Sequence, residues 1–208
     1  MYYLTQDLWF PDVNEATQDG LLAIGGDLSV ERLILAYKTG VFPWFEAKAP
    51  ILWWSPNPRF VLFPEKLKVS KSMKQVLRNK RYTVTINKDF NAVISACSKI
   101  KRHGQSGTWI TKSMLEAYTK LHDLGYAKSV EVWNSDKTLV GGFYGIDLGH
   151  GVFCGESMFS KESNASKVAF IRFIQNASYK LIDCQVYTKH LESLGAEEIS
   201  RDDFLKFL

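Results

Sequence analysis

The stretch that decides the fold lies in the second half of the chain, where residues 127–158 read AKSVEVWNSDKTLVGGFYGIDLGHGVFCGESM. Three runs rich in β-branched and aromatic residues, at 127–133, 139–147 and 151–158, are separated by Asn, Asp and Gly residues that favour tight turns. Strands joined by such short connections pair antiparallel, since a parallel pair needs a long crossover. The stretch therefore predicts three consecutive, mainly antiparallel strands.

Helices and two further strands are predicted on either side of these three strands. Apolar residues that recur every three to four positions predict the helices, and short apolar runs predict the strands. In chain order the predicted elements are a strand at 82–86, helices at 89–100 and 112–124, the three strands, a helix at 165–180, a strand at 181–186 and a short terminal helix. This βααβββαβα order is that of the N-acetyltransferase-like (GNAT) fold, so we expect an α/β (α+β) chain with a mixed sheet.

A change of pattern over Pro56 to Pro64 predicts a domain boundary. Before it the chain is dense in Gly, Pro and Trp, and its one amphipathic helix is predicted at 30–38 with Ser29 as the N-cap. After it the hydrophobic periodicity is regular. We therefore expect a small irregular N-terminal domain at 1–60 and a GNAT-like domain at 61–208.

Length and composition place the chain among globular proteins. Its 208 residues are 46% hydrophobic and 23% charged, which excludes the disordered and collagen-like classes. No apolar run approaches the ~18 residues of a membrane helix, and the N-terminus lacks the regions of a secretory signal. Cys97, Cys154 and Cys184 show no metal-binding spacing. We expect a cytoplasmic protein without disulfides or a zinc site.

Positive charge is concentrated in the middle third of the chain. Residues 61–128 hold 14 Lys or Arg and 4 Asp or Glu, whereas the whole chain has a formal charge of only +4. A helix predicted to start near Ser70 buries Met73, Val76 and Leu77 and places four cations on another face. These four, the basic ridge, are Lys71, Lys74, Arg78 and Arg81. Such a ridge suits a phosphate backbone, and a solvated lysine-rich surface is the alternative interpretation.

Three short stretches carry more polar chemistry than a core needs. GESMFS at 155–160 ends a strand, NASK at 164–167 opens a helix, and LIDCQ at 181–185 forms a strand. In that last strand Asp183 and Gln185 lie on the same side, because side chains alternate with a period of two. A carboxylate in an apolar strand is costly unless it is paired or used. Asp183 therefore either holds a structural partner or takes part in chemistry.

These stretches resemble one family when they are taken in order with others along the chain. The others are LLAIGGDLS, GVFPWF, ILWWSPNPRFVL, TWIT, AYTKLHDLGYAKSVEVW, LVGGFYG and HLESLGA. Over residues 20–208 the sequence resembles the leucyl/phenylalanyl-tRNA–protein transferases. The resemblance implies transfer of leucine or phenylalanine from leucyl-tRNA or phenylalanyl-tRNA to the α-amino group of proteins that begin with Arg or Lys. The product would carry an N-end degradation signal, and neither a metal nor a cofactor would be needed.

The resemblance also implies roles for individual residues. Trp44 and Trp109 correspond to the aromatic contacts with the terminal adenosine of the tRNA. Asp183 corresponds to the group that takes a proton from the attacking amine, acting on or through Gln185, with Glu156 beside them. Whether Asp183 is a general base or only a positioning group stays open. The implied pocket for the leucyl or phenylalanyl side chain is Phe143, Phe153, Met158, Phe170, Phe173 and Ile182. By the same comparison, His122 and His190 are interpreted as structural.

Two other functions remain as alternatives. A small-molecule N-acetyltransferase of the same fold would need a glycine-rich phosphate-binding turn after the fourth strand, where this chain reads ESMFSKESNASK at 156–167. A non-catalytic RNA-binding module would use the basic ridge alone. It would leave Asp183, Gln185 and Glu156 without a task. The sequence therefore favours the aminoacyl transferase.

Overall fold

The computed structural model describes residues 1–100 and 108–208. The α-helices are α1 Val30–Lys38, α2 Lys71–Arg78, α3 Phe90–Lys99, α4 Lys112–Asp123, α5 Ala165–Asn176, α6 Lys189–Glu192 and α7 Arg201–Leu205. The strands are β1 Tyr2–Leu4, β2 Leu21–Gly25, β3 Phe42–Pro43, β4 Leu52–Trp54, β5 Arg59–Leu62, β6 Thr83–Ile86, β7 Ala127–Trp133, β8 Leu139–Gly149, β9 Val152–Ser160, β10 Leu181–Gln185 and β11 Glu197–Ile199. Among the described residues, no helix combines the length and apolar character that crossing a membrane requires.

The strands form two sheets. The small sheet has the order β1-β2-β4-β3, and the large sheet has the order β11-β5-β10-β9-β8-β7-β6. In the large sheet β6 to β9 pair antiparallel, whereas β9 and β10 pair parallel. The expected α/β class, with a mixed sheet around an antiparallel centre, is confirmed.

The large sheet carries apolar side chains on both faces. Tyr144 and Ile146 of β8 pack with α1, α3 and α4, whereas Phe143 of the same strand packs with α5. Adjacent residues of a strand point to opposite faces, so one strand serves both cores. The first core continues into the small sheet, where it includes Leu22 and Trp53. The two sheets therefore share one hydrophobic cluster.

The strand β5 lies at the expected boundary between residues 60 and 61. All four of its residues are buried, and it pairs with β10 and β11 inside the large sheet. This placement takes Arg59 and Phe60 into the same sheet as the later strands. The division at 1–60 and 61–208 remains a proposal about the chain.

Candidate active site

A cleft opens in the large sheet at the point where β9 and β10 separate. The parallel register between these strands ends at Cys154 and Asp183. Beyond that point β10 carries a bulge between Asp183 and Gln185, and the backbone of Gln185 has a left-handed φ of 64°. The resulting cleft has a volume of about 540 Å³ and is lined on one side by residues 155–160 of β9.

Four of the six residues expected to form the aminoacyl side-chain pocket line this cleft. They are Phe143, Met158, Phe170 and Ile182, supplied by β8, β9, α5 and β10. Met158 is partly exposed, while the other three are buried. An apolar lining around one flexible thioether can accept aliphatic and aromatic side chains of different shape.

The remaining two pocket residues lie one layer deeper than expected. Phe153 and Phe173 do not line the cleft, and their rings pack 4.7 Å apart against each other. Phe143 contacts both from the cleft side, at ring distances of 6.1 and 5.2 Å. The ring of Tyr179 packs against Phe153 and Phe173, at ring distances of 5.5 and 5.2 Å. The two deeper rings thus support Phe143, because they occupy the interior between β9 and α5.

Both tryptophans that were expected to contact an adenosine line the cleft. Trp44 is 38% exposed, and its ring lies 5.9 Å from that of Trp54. Trp54 also donates its indole N–H to the carbonyl oxygen of Trp44 at 2.7 Å. Trp109 precedes α4 and is partly buried. Exposed indole faces at the rim of a cleft are suited to stacking on a base.

Asp183 is held in a buried ion pair with Arg59. The Arg59 Nε and Nη2 groups donate to the two Asp183 carboxylate oxygens at 2.8 and 2.7 Å. The Gln185 backbone N–H donates to Asp183 Oδ1 as well, at 2.9 Å. Burial disfavours a charged Arg59, but the attraction of Asp183 outweighs it and raises the pKa of the guanidinium. The pair fixes the bulge that carries Gln185, because the Gln185 backbone N–H donates to the same carboxylate.

The guanidinium of Arg59 joins distant parts of the chain. Its Nη1 donates to the carbonyl oxygen of Gly40 at 3.2 Å. Its centre lies 4.8 Å from the ring of Phe42 and 4.6 Å from the ring of Phe204. Stacking between two rings keeps a cation stable in an apolar setting. Arg59 thus orients Asp183 from the side that faces away from the cleft opening.

Glu156 is the second buried carboxylate of the cleft, and its hydrogen bonds differ from those of Asp183. Gln185 Nε2 donates to Glu156 Oε1 at 2.8 Å, and the Tyr118 hydroxyl donates to Oε2 at 3.1 Å. The Tyr37 hydroxyl bonds to that of Tyr118. These groups reach Glu156 from β10, α4 and α1.

Burial raises the pKa of Glu156 to about 7. The hydroxyls of Tyr37 and Tyr118 and the amide of Gln185 lower it, while the negative charge of Asp183 raises it. Burial, together with the charge of Glu156, also raises the pKa of both tyrosines well above the usual range, so both stay protonated. Glu156 can therefore exchange a proton near neutral pH.

The two carboxylates can perform different tasks. Both oxygens of Asp183 accept from the permanently charged guanidinium of Arg59, and Oδ1 accepts from the Gln185 backbone as well. Each oxygen of Glu156 accepts one hydrogen bond from the described residues and has a second lone pair. The geometry thus suits Asp183 to positioning and Glu156 to proton transfer.

Three residues of this arrangement were not predicted from the sequence. Arg59 gave a usable signal, because it is a charged residue inside the apolar run RFVL at 59–62. Tyr37 and Tyr118 gave none, since each lies on the buried face of an amphipathic helix, where an aromatic residue is ordinary core.

The two histidines differ in their surroundings. His122 stacks on Phe90 at 4.3 Å and its Nδ1 lies 2.9 Å from the carbonyl oxygen of Ala127, which agrees with a structural role. His190 lines the cleft, and its buried Nε2 has no hydrogen-bond partner within the described part of the chain. Burial and then the nearby Lys167 lower the pKa of His190.

The basic ridge is shorter than its spacing predicts. Ser70 caps α2, and Lys71, Lys74 and Arg78 are exposed along it. The prediction that Arg81 shares their helical face is wrong, because α2 ends at Arg78 and Lys80 turns the chain with a left-handed φ of 49°. Arg81 instead pairs with Glu162 at 2.8 Å. The ridge on the helix therefore consists of three cations.

Comparisons with known proteins show which proteins the whole chain resembles. Residues 61–208 match the family model described as leucyl/phenylalanyl-tRNA protein transferase, and residues 26–57 match the model of the N-terminal domain of that transferase. The leucyl/phenylalanyl-tRNA–protein transferase of Flavobacterium johnsoniae is 62% identical over 211 residues, which cover 100% of this chain and 99% of the relative. The enzyme of the same name from Flavobacterium psychrophilum is 59% identical over the same shares of both chains.

Solved structures give a weaker likeness. A GCN5-related N-acetyltransferase from Kribbella flavida superposes with a TM-score of 0.39 and 11% identity, covering 79% of this chain and 58% of that one. A TM-score and a sequence identity this low support no inference about function.

Proposed function

The chain belongs to the leucyl/phenylalanyl-tRNA–protein transferase family, and we propose that its acceptors are proteins that begin with Arg or Lys. In this proposal leucine or phenylalanine passes from aminoacyl-tRNA to the α-amino group of the acceptor, and the product carries an N-end degradation signal. Because the donor is charged tRNA, we place the reaction in the cytoplasm. One observation carries the assignment of the site: an apolar pocket, the tryptophans Trp44 and Trp109 and a carboxyl–amide pair all line the same cleft.

Each part of the donor has a matching part of the cleft. We assign the terminal adenosine to Trp44 and Trp109, since stacking on an aromatic face contributes roughly 1 to 3 kcal/mol per base. The leucyl or phenylalanyl side chain enters the pocket of Phe143, Met158 and Phe170. The tRNA backbone lies along the shortened basic ridge, where each neutralised phosphate releases counterions.

The reaction is the aminolysis of an ester. The acceptor nitrogen attacks the ester carbonyl, the carbon–oxygen bond to the tRNA breaks, and the released ribose oxygen takes up a proton. An α-amino group has a pKa near 8, so it must lose a proton before or during attack. We assign to Glu156 the task of taking this proton from the nitrogen and passing it to the released ribose oxygen, because its pKa of about 7 leaves much of it ionised at neutral pH.

In this scheme Asp183 is a positioning residue that acts through Gln185. Paired with Arg59 and bonded to the Gln185 backbone, it holds the bulge from which the Gln185 side chain reaches Glu156. Gln185 in turn orients the carboxylate and the incoming amine. Holding both reactants in register can supply about 7 to 11 kcal/mol of the barrier reduction.

The direct test mixes the protein with labelled leucyl-tRNA and a model protein that begins with Arg. We expect the label to appear in acid-stable protein, because a peptide bond resists treatment that hydrolyses the ester. Matched acceptors that begin with Ala, or with an acetylated Arg, should take up no label. Labelling of all three acceptors at one rate would contradict the proposed acceptor class.

A further inference from the structure

Ser166 and His190 line the cleft with polar side-chain atoms that have no hydrogen-bond partner among the described residues. Ser166 is only 8% exposed, and its backbone N–H donates to Ser160 Oγ while its own hydroxyl bonds to none of the described residues. His190 Nε2 is buried and is also unpartnered within that part of the chain. A structural role would give this nitrogen a partner inside the fold. A buried polar group that makes no hydrogen bond lowers stability, so it is suited to a ligand that completes the bonding.

Both residues lie on the α5 side of the large sheet. Ser166 is in the first turn of α5, one helical turn before Phe170, so these two residues share the helical face that lines the cleft. His190 is in α6, close enough to Lys167 of α5 for that charge to affect its pKa. Leu191, the next residue, packs against the apolar cluster that includes Phe170. The two polar groups therefore lie beside the apolar pocket assigned to the aminoacyl side chain.

The other aliphatic hydroxyls of the described cleft lining have different tasks or places. Ser160 Oγ donates to a backbone carbonyl oxygen and accepts the Ser166 N–H, so it holds the first turn of α5. Thr188 Oγ1 accepts a backbone N–H as the N-cap of α6. Ser157 lies opposite Tyr144 in the pairing of β8 and β9, and Tyr144 belongs to the core on the other face of the sheet. None of these three hydroxyls duplicates the position of Ser166.

We propose that Ser166 and His190 bind the α-amino group of the donor amino acid. The proposal rests on the proposed function. In that scheme the carbonyl group and the ester oxygen of the donor lie at the reaction centre beside Glu156, and the donor side chain enters the apolar pocket. The α-amino group is the one polar group of the leucyl or phenylalanyl moiety that remains. It is attached to the same carbon as the side chain, so it lies at the pocket, where Ser166 and His190 are.

The chemistry of the two side chains matches a neutral α-amino group. Burial and then the charge of Lys167 lower the pKa of His190, so its imidazole is neutral at neutral pH. His190 Nε2 can then accept a hydrogen bond from the amine, while the Ser166 hydroxyl donates to the nitrogen lone pair. An ammonium group would be repelled by Lys167 and by the positive N-terminal end of α5. The subsite therefore selects the uncharged amine.

The test compares two non-reactive donors that differ only in the α-amino group. One is amide-linked leucyl-adenosine, and the other is its des-amino counterpart, 4-methylpentanoyl-adenosine with the same linkage. Wild type should bind the leucyl compound at least about tenfold more tightly, because the des-amino compound lacks both hydrogen bonds. This preference should fall to about threefold in Ser166→Ala and in His190→Phe, and it should disappear in the double variant. Binding of the des-amino compound should stay within about twofold of wild type in all variants, because it makes neither bond.

Thermal unfolding and a second histidine provide the controls. His190→Phe removes an unpartnered nitrogen and keeps a ring of similar size, so we expect it to melt at or above the wild-type temperature. His122 lies outside the cleft lining, and its Nδ1 lies 2.9 Å from the carbonyl oxygen of Ala127. His122→Phe should therefore melt lower and keep the full preference for the leucyl compound. Ser166→Ala removes a single oxygen atom, so it tests the same subsite if His190→Phe does not fold.

Several outcomes would overturn the proposal or its premise. Equal binding of the two compounds by wild type, or a full preference retained in both single variants, would place the α-amino group elsewhere. An equal weakening of both compounds in the variants would make Ser166 and His190 structural supports of the pocket. A wild type that shows the preference but transfers no leucine to an acceptor beginning with Arg would contradict the proposed function and leave the α-amino subsite standing. A wild type that binds neither compound would contradict both.

Discussion

Arg59 and Asp183 lie 124 residues apart in the chain and share two hydrogen bonds within one buried ion pair. Removing one partner of such a pair leaves an uncompensated charge in the interior, which costs more than replacing both. The pair therefore contributes to stability and to the geometry of Gln185 at once. These two contributions can be separated by substitution.

Asp183→Asn should lower the free energy of unfolding by about 3 to 5 kcal/mol, measured by urea titration, because Arg59 keeps its charge without a partner. Leucine transfer should fall as well, since the bulge at Gln185 loses its anchor. The double variant Arg59→Met with Asp183→Leu serves as the control. The double variant should regain much of the lost stability and remain poorly active. If Asp183→Asn were as stable as wild type, the ion pair would contribute little to stability.

Tyr118→Phe should move the pH dependence of transfer to higher pH. The Tyr118 hydroxyl lowers the pKa of Glu156, so its removal raises that pKa above its value of about 7. Less Glu156 is then ionised at pH 7, and activity should recover as the pH rises. The measurement is kcat/KM against pH for both proteins. Tyr179→Phe, which removes a hydroxyl bonded to Asp147 outside the cleft, should leave the profile unchanged.

Glu156→Gln should remove a pH dependence of stability. In the folded protein the pKa of Glu156 is raised by burial from 4.5 to about 7. The folded state therefore holds its proton more tightly than the unfolded state, so wild-type stability falls as the pH rises from about 4.5 to about 7. Thermal unfolding across this interval should show a smaller decline in the variant. Identical declines would mean that folding does not raise the pKa of Glu156.

Met158→Ala should change substrate selectivity, whereas Phe173→Ala should change folding stability. Met158 lines the cleft, so its truncation should change the preference among aminoacyl groups by about 1 to 3 kcal/mol of discrimination. Phe173 lies behind Phe143, and its truncation should cost about 3 to 5 kcal/mol of stability instead. Kinetics with leucyl-tRNA and phenylalanyl-tRNA, together with urea unfolding, make the comparison. Equal selectivity in the two variants would show that the pocket lies elsewhere.

Charge reversal of Lys71, Lys74 and Arg78 to Glu should weaken tRNA binding and flatten its salt dependence. For every phosphate that is no longer neutralised, the slope of log K against log salt falls by about 0.7 to 0.9. A minimal aminoacyl-adenosine donor lacks the tRNA body and should be used as well as before. Arg81→Gln is the comparison variant, because Arg81 is paired with Glu162. An equal decrease in activity with full tRNA and with the minimal donor would identify the ridge as solvated surface.

Much of the fold could be predicted because its signals are local. The short turns after residues 133 and 149 specify antiparallel pairing, and Ser29 and Ser70 cap the helices that follow them. The strand β11 was not predicted. It is only three residues long and two of them are Glu, so it gives no apolar run.

The site could be predicted only as far as single residues reveal it. Asp183 stood out as a charge in an apolar strand, but its partner Arg59 is fixed by tertiary pairing of β5 and β10. The sequence also could not predict that Phe153 lies behind the cleft lining. Phe143 and Phe153 are both buried aromatics of adjacent strands, and only the position of α5 and the cleft decides which of them a ligand can touch.

The hydrophobic cluster shared by the two sheets has a consequence for how the molecule unfolds. Trp53 of the small sheet and Tyr144 of the large sheet belong to one continuous apolar interior. Neither sheet can lose its packing without exposing the other, so the two behave as a single cooperative unit. The cleft where β9 and β10 separate therefore lies within this single unit.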